Sequence, residues 1–238
     1  METHTPVESR SLLFKRKVVW WPTRLFVFCI LTLICTPFMG WWFYAESFLS
    51  VTDKLPAEIL VVEGWIGSEG IQSAALEFQR GRYQYVVAAG GFPLARFGPQ
   101  PSYAESAGYQ LMKLGVPADK VIVAISKTTA RQRTFESAAA VWLVLRSKEI
   151  RPNAINVLTL GAHARRSRSV FSKVYGSDTH IGVISWIPVE YGTAYWWNSS
   201  ERTKDLIAET VGESIEFLFD SGRASNVPSP FPANTTKE

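Results

Sequence analysis

An uncharged apolar run near the N-terminus constrains the fold of this chain more than any other feature. It extends from Leu25 to Ala45 and contains 21 residues without a charged side chain. As an α-helix this run is about 30 Å long, which matches the hydrocarbon thickness of a bilayer. Tryptophan and tyrosine side chains flank both ends, where amphipathic rings favour the membrane interfaces. The run therefore predicts a transmembrane helix over residues 25–45.

The charges on either side of the run predict its orientation. Basic side chains precede it at Arg10, Lys15, Arg16, Lys17 and Arg24, whereas only Lys54 lies in the twenty residues after it. The positive-inside rule then makes residues 1–24 a cytoplasmic N-terminus and places the rest of the chain on the outer side. A cleaved signal peptide and a buried core helix are the alternatives. The length of the run, its aromatic flanks and the lack of a small-x-small cleavage motif favour an uncleaved anchor.

The composition limits what the rest of the chain can be. A total of 238 residues, 47% of them hydrophobic, leaves room for one domain beside the anchor. The net charge is +4, but the basic residues are divided between the N-terminal segment and separate helix faces, which argues against nucleic acid as a partner. Both cysteines, Cys29 and Cys35, lie within the apolar run, so the predicted domain has no cysteine for a disulfide or a metal site.

Short apolar, β-branched runs alternate with amphipathic stretches after the anchor. The apolar runs predict strands at Ile59–Val62, Tyr85–Ala88, Val121–Ile125, Ile155–Leu160 and Ile181–Ser185. The amphipathic stretches predict helices at Ile71–Arg80, Ser102–Leu114, Phe135–Lys148, Ala164–Tyr175 and Thr203–Phe219, the last with an apolar face that includes Leu206, Ile207, Val211, Ile215 and Leu218. This alternation predicts an α/β fold with a doubly wound, mainly parallel, Rossmann-like sheet over residues 55–222. Residues 52–56 are interpreted as a linker, and residues 223–238 as a disordered tail.

Ligands of doubly wound sheets bind beyond the carboxyl ends of the strands, so the loops at those ends carry the candidate site. Glu63 directly follows the first predicted strand and could act as a general base or a metal ligand, with Trp65 as a wall. A helix-capping role for Glu63 is the alternative. Gly90 and Gly91 follow the second strand and could expose backbone donors to an anion, although a glycine pair also forms simple turns.

The loop after the third predicted strand is rich in cations and enters a helix. It brings Lys127, Arg131 and Arg133 beside Thr134 and Glu136. Unpaired N–H groups and the helix dipole favour an anion at such a position. A solvated loop would look similar, so the anion site is one of two open interpretations.

A histidine beside two arginines follows the fourth predicted strand. His163 is suited to donate or accept a proton, and Arg165 and Arg166 are suited to hold a phosphate. A capping histidine with surface arginines is the alternative. Glu105, in the capping-box pattern that begins at Ser102, is a further candidate ligand-binding residue. Glu63, Glu105 and His163 lack a recognised metal-ligand spacing, so no metal site is predicted.

An aromatic cluster, Tyr195 to Trp197, precedes the last predicted helix. Its rings could stack on a sugar or another ring, form a patch near the membrane, or pack over the sheet. Packing is the default interpretation for such a cluster.

Six segments in this order resemble the SanA/YdcF/ElyC-like family of bacterial envelope proteins. They are EILVVEGW at 58–65, AAGG at 88–91, YAESAGYQLMKLGVP at 103–117, RTFESA at 133–138, LGAHARRSRSVF at 160–171 and WWNSSE at 196–201. The resemblance implies a Rossmann-like domain on the periplasmic side of the inner membrane. It also implies a role in cell-wall precursor or lipid-carrier metabolism. This chain has Glu63-Gly64-Trp65 where relatives often have glycines, and Ser137 where many have asparagine.

Two functions of different classes therefore remain open. The first is an anchored envelope protein that binds, or binds and processes, a phosphorylated or lipid-linked cell-wall intermediate. The second is a non-catalytic binding or scaffold module that supports envelope integrity. A nucleotide-like cofactor is a third interpretation, but the chain has no G-x-G-x-x-G motif. The sequence predicts neither a particular cofactor nor an oligomeric state.

Overall fold

The structure is a computed structural model that describes residues 21–93, 100–129, 131–191 and 195–219. The chain divides into two compact units, Met1–Trp42 and Phe43–Glu238. Residues 1–20 and the predicted tail at 223–238 lie outside the described residues.

The described part of the first unit consists mainly of the start of helix α1, Arg24–Leu49. Residues 21–40 are all exposed. Within the described residues, α1 is the one helix long and apolar enough to cross a membrane. Its position near the N-terminus fits a membrane anchor or a signal sequence, in agreement with the apolar run found in the sequence.

The second unit contains a sheet of five parallel strands. These are β1 Ile59–Glu63, β2 Tyr85–Gly90, β3 Val121–Ile125, β4 Ala154–Leu160 and β5 His180–Trp186. The strand order is β3-β2-β1-β4-β5. The chain therefore builds outward from β1 to β3 and then crosses back to the other side of β1. This reversal puts the topological switch point between β1 and β4, where doubly wound sheets bind ligands.

Helices cover both faces of this sheet. They are α2 Gly67–Arg80, α3 Tyr103–Lys113, α4 Arg133–Ser147, α5 Ala164–Tyr175 and α6 Ser200–Phe219. Alternate residues of β1 enter two cores, since Ile59 and Val61 pack with α4 and α5, whereas Leu60 and Val62 pack with α2 and α3. A strand buried on both faces requires a continuous apolar sequence, which is the pattern that predicted it. The predicted doubly wound α/β fold is confirmed.

The predicted linker at 52–56 is tied to the sheet. Asp53 forms an antiparallel bridge with Val183, and the Thr52 hydroxyl accepts a hydrogen bond from the Ser185 N–H at 3.0 Å. Leu55 exchanges two hydrogen bonds with the side chain of Asn156, at 2.9 and 2.8 Å. The contacts of Thr52 and Asp53 satisfy backbone groups of the edge strand β5, and Asn156 on β4 satisfies the backbone of Leu55, so this segment is not a free linker.

The apolar face predicted for α6 is exposed for most of its length. Leu206 is buried, but Ile207, Val211, Ile215 and Leu218 are exposed. α6 instead meets α5 through polar pairs, which are Arg166 with Glu209, Ser169 with Glu213, and Lys173 with Glu216. These pairs turn the carboxylates of α6 inward and leave its apolar side chains outside, an orientation that hydrophobic periodicity alone does not predict.

Candidate functional site

A cavity of about 560 Å³ lies at the carboxyl edge of the sheet. Nine of the residues that the sequence predicted for the site line it: Glu63, Trp65, Gly90, Gly91, Lys127, Arg133, Thr134, His163 and Arg166. The loops after β1, β2, β3 and β4 therefore meet at one rim, as the doubly wound topology requires. The functional roles of these residues stay predictions.

Glu63 is the last residue of β1 and is 1% exposed. Its Oε2 accepts hydrogen bonds from the hydroxyl groups of Thr159 on β4 and of Ser167 on α5, the second at 3.0 Å. Burial alone raises the pKa of this carboxyl group, but the charge of His163 and the hydrogen bonds outweigh burial and hold the pKa below its usual value. Among the described residues none donates a hydrogen bond to Oε1. Glu63 is therefore ionised at neutral pH, and its Oε1 has no hydrogen-bond donor among the described residues.

His163 lies in the short 3₁₀ turn that joins β4 to α5. Its Nε2 is 3.5 Å from Glu63 Oε2 and 3.3 Å from Thr134 Oγ1, and its Nδ1 is 3.0 Å from Glu209 Oε1. Burial lowers the pKa of His163, but the charge of Glu63 and the contacts with Glu209 outweigh it and raise the pKa to about 9. The ring is therefore an imidazolium at neutral pH, and both of its N–H groups have carboxylate partners.

Arg166 completes this buried network from α5. Its Nε and Nη2 donate to the two oxygens of Glu209 at 2.7 and 2.9 Å. Burial raises the pKa of Glu209, but hydrogen bonds from His163 and Arg166 lower it to about 2. Arg166 Nη2 also lies 3.1 Å from His163 Nδ1, because both donors share Glu209 Oε1. Two carboxylates and two cations thus neutralise one another, and Arg166 is committed to a protein carboxylate.

The wall formed by the loop after β3 and the start of α4, here called the α4 wall, differs from this network because its cations have no carboxylate partner among the described residues. Lys127 and Arg133 line the cavity there and are exposed. Neither forms an ion pair with any residue that the structure describes. Thr134 and Ser137 belong to the same wall, in the first turns of α4. Exposed cations beside a helix N-terminus are suited to bind an anion.

The glycines of the rim have a reason in packing. A Cβ on Gly64 would lie 2.3 Å from the carbonyl oxygen of Tyr103, and one on Gly91 would lie 2.9 Å from Ser126 Oγ. Gly90 has φ of 149°, and a Cβ there would lie 2.9 Å from Tyr103 Cβ. These positions let the start of α3 and the loop after β3 approach β1 and β2 closely. That close approach explains the glycines without a ligand.

The cavity lining does not include Glu105, Arg131, Glu136 or Arg165, which the sequence analysis also named. Glu105 is exposed and its carboxylate accepts hydrogen bonds from the N–H and hydroxyl of Ser102, at 2.9 and 2.7 Å, in the predicted capping box. Glu136 is buried within α4. Arg165 donates from Nε to the carbonyl oxygen of Phe48 at 2.6 Å, and its guanidinium lies 3.7 Å from the centre of the Phe48 ring. These contacts give Glu105 and Arg165 structural partners away from the cavity.

Sequence reasoning missed several residues of the site. Glu209 lies in the middle of α6, among other glutamates and without a local motif. Glu46 and Arg202 pair across 156 residues of sequence, and both line the cavity. Ser167 directly follows Arg166, so it alone among these residues lies beside a motif that the sequence shows. In the described parts of the chain, no group of three or more His, Cys, Asp or Glu side chains is arranged to hold a metal ion.

The fold and the cavity define a Rossmann-like α/β protein with one apolar N-terminal helix that could span a membrane. Comparison with protein-family models, with curated proteins and with solved structures finds no match for this chain. Its function therefore has to be inferred from the geometry of its own cavity.

Proposed function

We propose that this chain is an envelope protein of the SanA/YdcF/ElyC-like family, anchored in the bacterial inner membrane, that binds a phosphorylated or lipid-linked cell-wall intermediate. The observation that carries the proposal is the position of Lys127 and Arg133, which line the cavity without an ion-pair partner among the described residues. The N-terminus of α4 adds dipole and N–H donors to the same wall. An anionic ligand is the chemistry that these groups fit.

The neutral network beside the wall of Lys127 and Arg133 supports the same proposal. Because Glu63 and Glu209 are already compensated by His163 and Arg166, they offer little repulsion to an incoming anion. Lys127 and Arg133 are then the cations that attract an anion in this cavity, and the carboxylate of Asp205, which also lines it, opposes them.

Chain connectivity supports a ligand that belongs to the membrane. Glu46 lines the cavity and directly follows Ala45, the last residue of the apolar run. The proposed location has residues 1–24 in the cytoplasm and the α/β domain on the periplasmic side. A reporter fused to the C-terminus that is active only outside the cytoplasm tests it. Activity of a cytoplasm-only reporter at the same position would reverse the orientation.

Processing of the ligand would use His163 and Glu63. An imidazolium can donate a proton to a phosphate oxygen or to a leaving group, and Glu63 Oε1 can accept a hydrogen bond from an attacking hydroxyl group. His163 would have to release one of its carboxylate partners in order to donate.

A second candidate, a non-catalytic binding module, is favoured by the same network. Both ring nitrogens of His163 have partners, and the lowered pKa of Glu63 makes it a weak base near neutral pH. Such a network holds the fold together and leaves recognition to Lys127 and Arg133. Turnover of a phosphorylated ligand by the wild-type protein, lost in His163→Gln but not in Lys148→Ala, separates the enzyme from the binding module.

Calorimetry on the full chain in detergent tests the shared part of both candidates. Farnesyl phosphate is the probe, with inorganic phosphate and farnesol as its two halves. We expect the double variant Lys127→Ala/Arg133→Ala to lose at least tenfold in affinity, or about 1.4 kcal/mol. Lys148→Ala is the matched control, since it removes one cation about 20 Å away at the other end of α4. Equal affinity in the double variant and the control would refute the anion site.

A further inference from the structure

Two 3₁₀ turns near the cavity, Val189–Tyr191 and Trp196–Asn198, have exposed apolar or aromatic side chains within them or just before them. Val189 is 88% exposed, Tyr195 is 63% exposed and Ile187 is 45% exposed. We infer that these turns insert into the surface of the lipid bilayer beside the end of α1. The inference rests on the membrane anchor of the proposed function and extends it to a second contact with the membrane.

The turn Trp196–Asn198 contacts the apolar run directly. The Trp197 ring lies 6.2 Å from the ring of Phe43, centre to centre, in an edge-on contact. Tyr195 stacks on Trp197 at 4.4 Å with an interplanar angle of 6°. Phe43 is the third residue from the end of the run at Leu25–Ala45, so this aromatic pair lies where the anchor leaves the hydrocarbon.

The turn Val189–Tyr191 is linked to α1 through Arg202, at a position about one helical turn beyond Phe43. Arg202 Nη1 donates to the carbonyl oxygen of Tyr191 at 3.2 Å, and its guanidinium lies 5.1 Å from the Tyr191 ring centre. Arg202 Nε donates to Glu46 Oε1 at 3.2 Å. Glu46 directly follows the apolar run, so Arg202 links this second turn to the end of that run.

The distances favour the membrane over water as the environment of these turns. The polar layer on each side of a bilayer is about 5–8 Å deep. A ring only 6.2 Å from Phe43 therefore falls within that layer when the run crosses the membrane. Tryptophan and tyrosine prefer this layer because one part of each ring system is apolar and another donates hydrogen bonds. The exposed Val189, on the turn that Arg202 links to this end of the run, would gain by burial in lipid.

This contact also decides how a ligand reaches the cavity. Ile187 and Tyr191 line the cavity and flank Val189 in sequence. The lipid surface then borders the cavity on this side, while Lys127 and Arg133 lie on the α4 wall. An amphiphile with a phosphate head enters from the membrane without its hydrocarbon part crossing water.

Spin labels on the full chain in phospholipid vesicles test the contact without any ligand. The background is Cys29→Ala/Cys35→Ala, and single cysteines are placed by Val189→Cys and Tyr195→Cys. Leu143→Cys is the matched control, because Leu143 is also apolar and 54% exposed but lies on α4. We expect the ratio of collision rates with oxygen and with a water-soluble nickel chelate to be several-fold higher at Val189 and Tyr195 than at Leu143.

Two results would overturn the inference. Ratios equal to that at Leu143 would place both turns in water. Low collision rates with both reagents would mean that protein covers the turns, either a second copy of the chain or another partner. Thermal unfolding of each labelled variant shows whether the label has disturbed the fold, and in that case Ile187→Cys replaces the affected position. Loss of farnesyl phosphate binding in Lys127→Ala/Arg133→Ala is measured separately, so this inference and the proposed function can fail independently.

Discussion

The two walls of the cavity use charge in opposite ways. On one wall Glu63, His163, Arg166 and Glu209 are buried or partly buried and form a network in which each charge has a partner. On the other wall Lys127 and Arg133 are exposed and form no ion pair within the described parts of the chain. The paired wall is therefore expected to determine stability, and the α4 wall to determine binding. This separation would let a cavity with many charged groups bind the anion that we propose.

The strongest test of the comparison is Glu63→Gln, which removes one charge from the paired wall at nearly constant volume. The His163 imidazolium then loses its nearest buried carboxylate on the Nε2 side. We expect the free energy of unfolding to fall by about 3 kcal/mol, since breaking a buried ion pair leaves an uncompensated charge. A lowering of the melting temperature by about 6–12 °C measures it for a chain of this size.

The same variant changes the titration of His163. We expect the pKa of His163 to fall from about 9, because the charge of Glu63 is the largest contribution that raises it. The ring signals of His163 in NMR spectra at increasing pH measure this change. Glu69→Gln, on the first turn of α2, serves as the control for loss of one carboxylate. A melting temperature unchanged from the control would show that the network does not stabilise the fold.

The pH dependence of stability is the next largest effect. The contribution of His163 is complete below its unfolded pKa near 6.5 and is lost as the pH rises through about 9. That of Glu209 is complete above its unfolded pKa near 4.5 and is lost as the pH falls toward about 2. The network therefore stabilises most between pH 4.5 and 6.5, with losses of roughly 2–3 kcal/mol on either side.

Melting temperatures from pH 3 to pH 10 check this window. Glu209→Gln should make the acid side less steep, because it removes one of the two network carboxylates with a lowered pKa, while Glu63 remains. An acid side as steep as that of the wild type would assign the loss to other carboxyl groups.

The paired wall is also the part of the site that the sequence predicts least. The strands, the switch point and the placement of Glu63 and His163 at one rim follow from local patterns and from the topology of parallel sheets. The partner of His163 on α6 does not, because Glu209 reaches the ring only through the orientation of the whole helix. That orientation depends on pairs such as Lys173 with Glu216, which periodicity would place on the solvent side.

The α4 wall is easier to predict, because its residues are close together in the sequence and do not depend on the orientation of a distant helix. Lys127, Arg133 and Thr134 lie within eight residues of one another, after a strand and at a helix start. Local sequence therefore fixes their common position. Arg165 shows the limit of this reasoning, since it is adjacent to Arg166 in the sequence but contacts Phe48 away from the cavity.

A smaller effect is expected from Arg166→Lys, which keeps the charge but loses the two-point contact with Glu209. A lysine ammonium cannot reproduce the pair of parallel hydrogen bonds that the guanidinium donates to the two oxygens of Glu209. We expect a loss of about 1–2 kcal/mol in the free energy of unfolding. Arg133→Lys makes the same exchange on the α4 wall and should change stability by less than about 0.5 kcal/mol. Equal losses in the two variants would remove the distinction between the walls.

The smallest effect on stability is predicted for Lys127→Ala/Arg133→Ala. These side chains are exposed, and neither has an ion pair to lose among the described residues, so the free energy of unfolding should stay within about 0.5 kcal/mol of the wild type. Removal of two neighbouring cations also relieves their mutual repulsion, which opposes any loss of packing by their aliphatic parts. The melting temperature of the variant used for calorimetry gives this value directly. A drop of more than about 4 °C would mean that the α4 wall also holds the fold together, and a loss of farnesyl phosphate binding would then no longer identify an anion site.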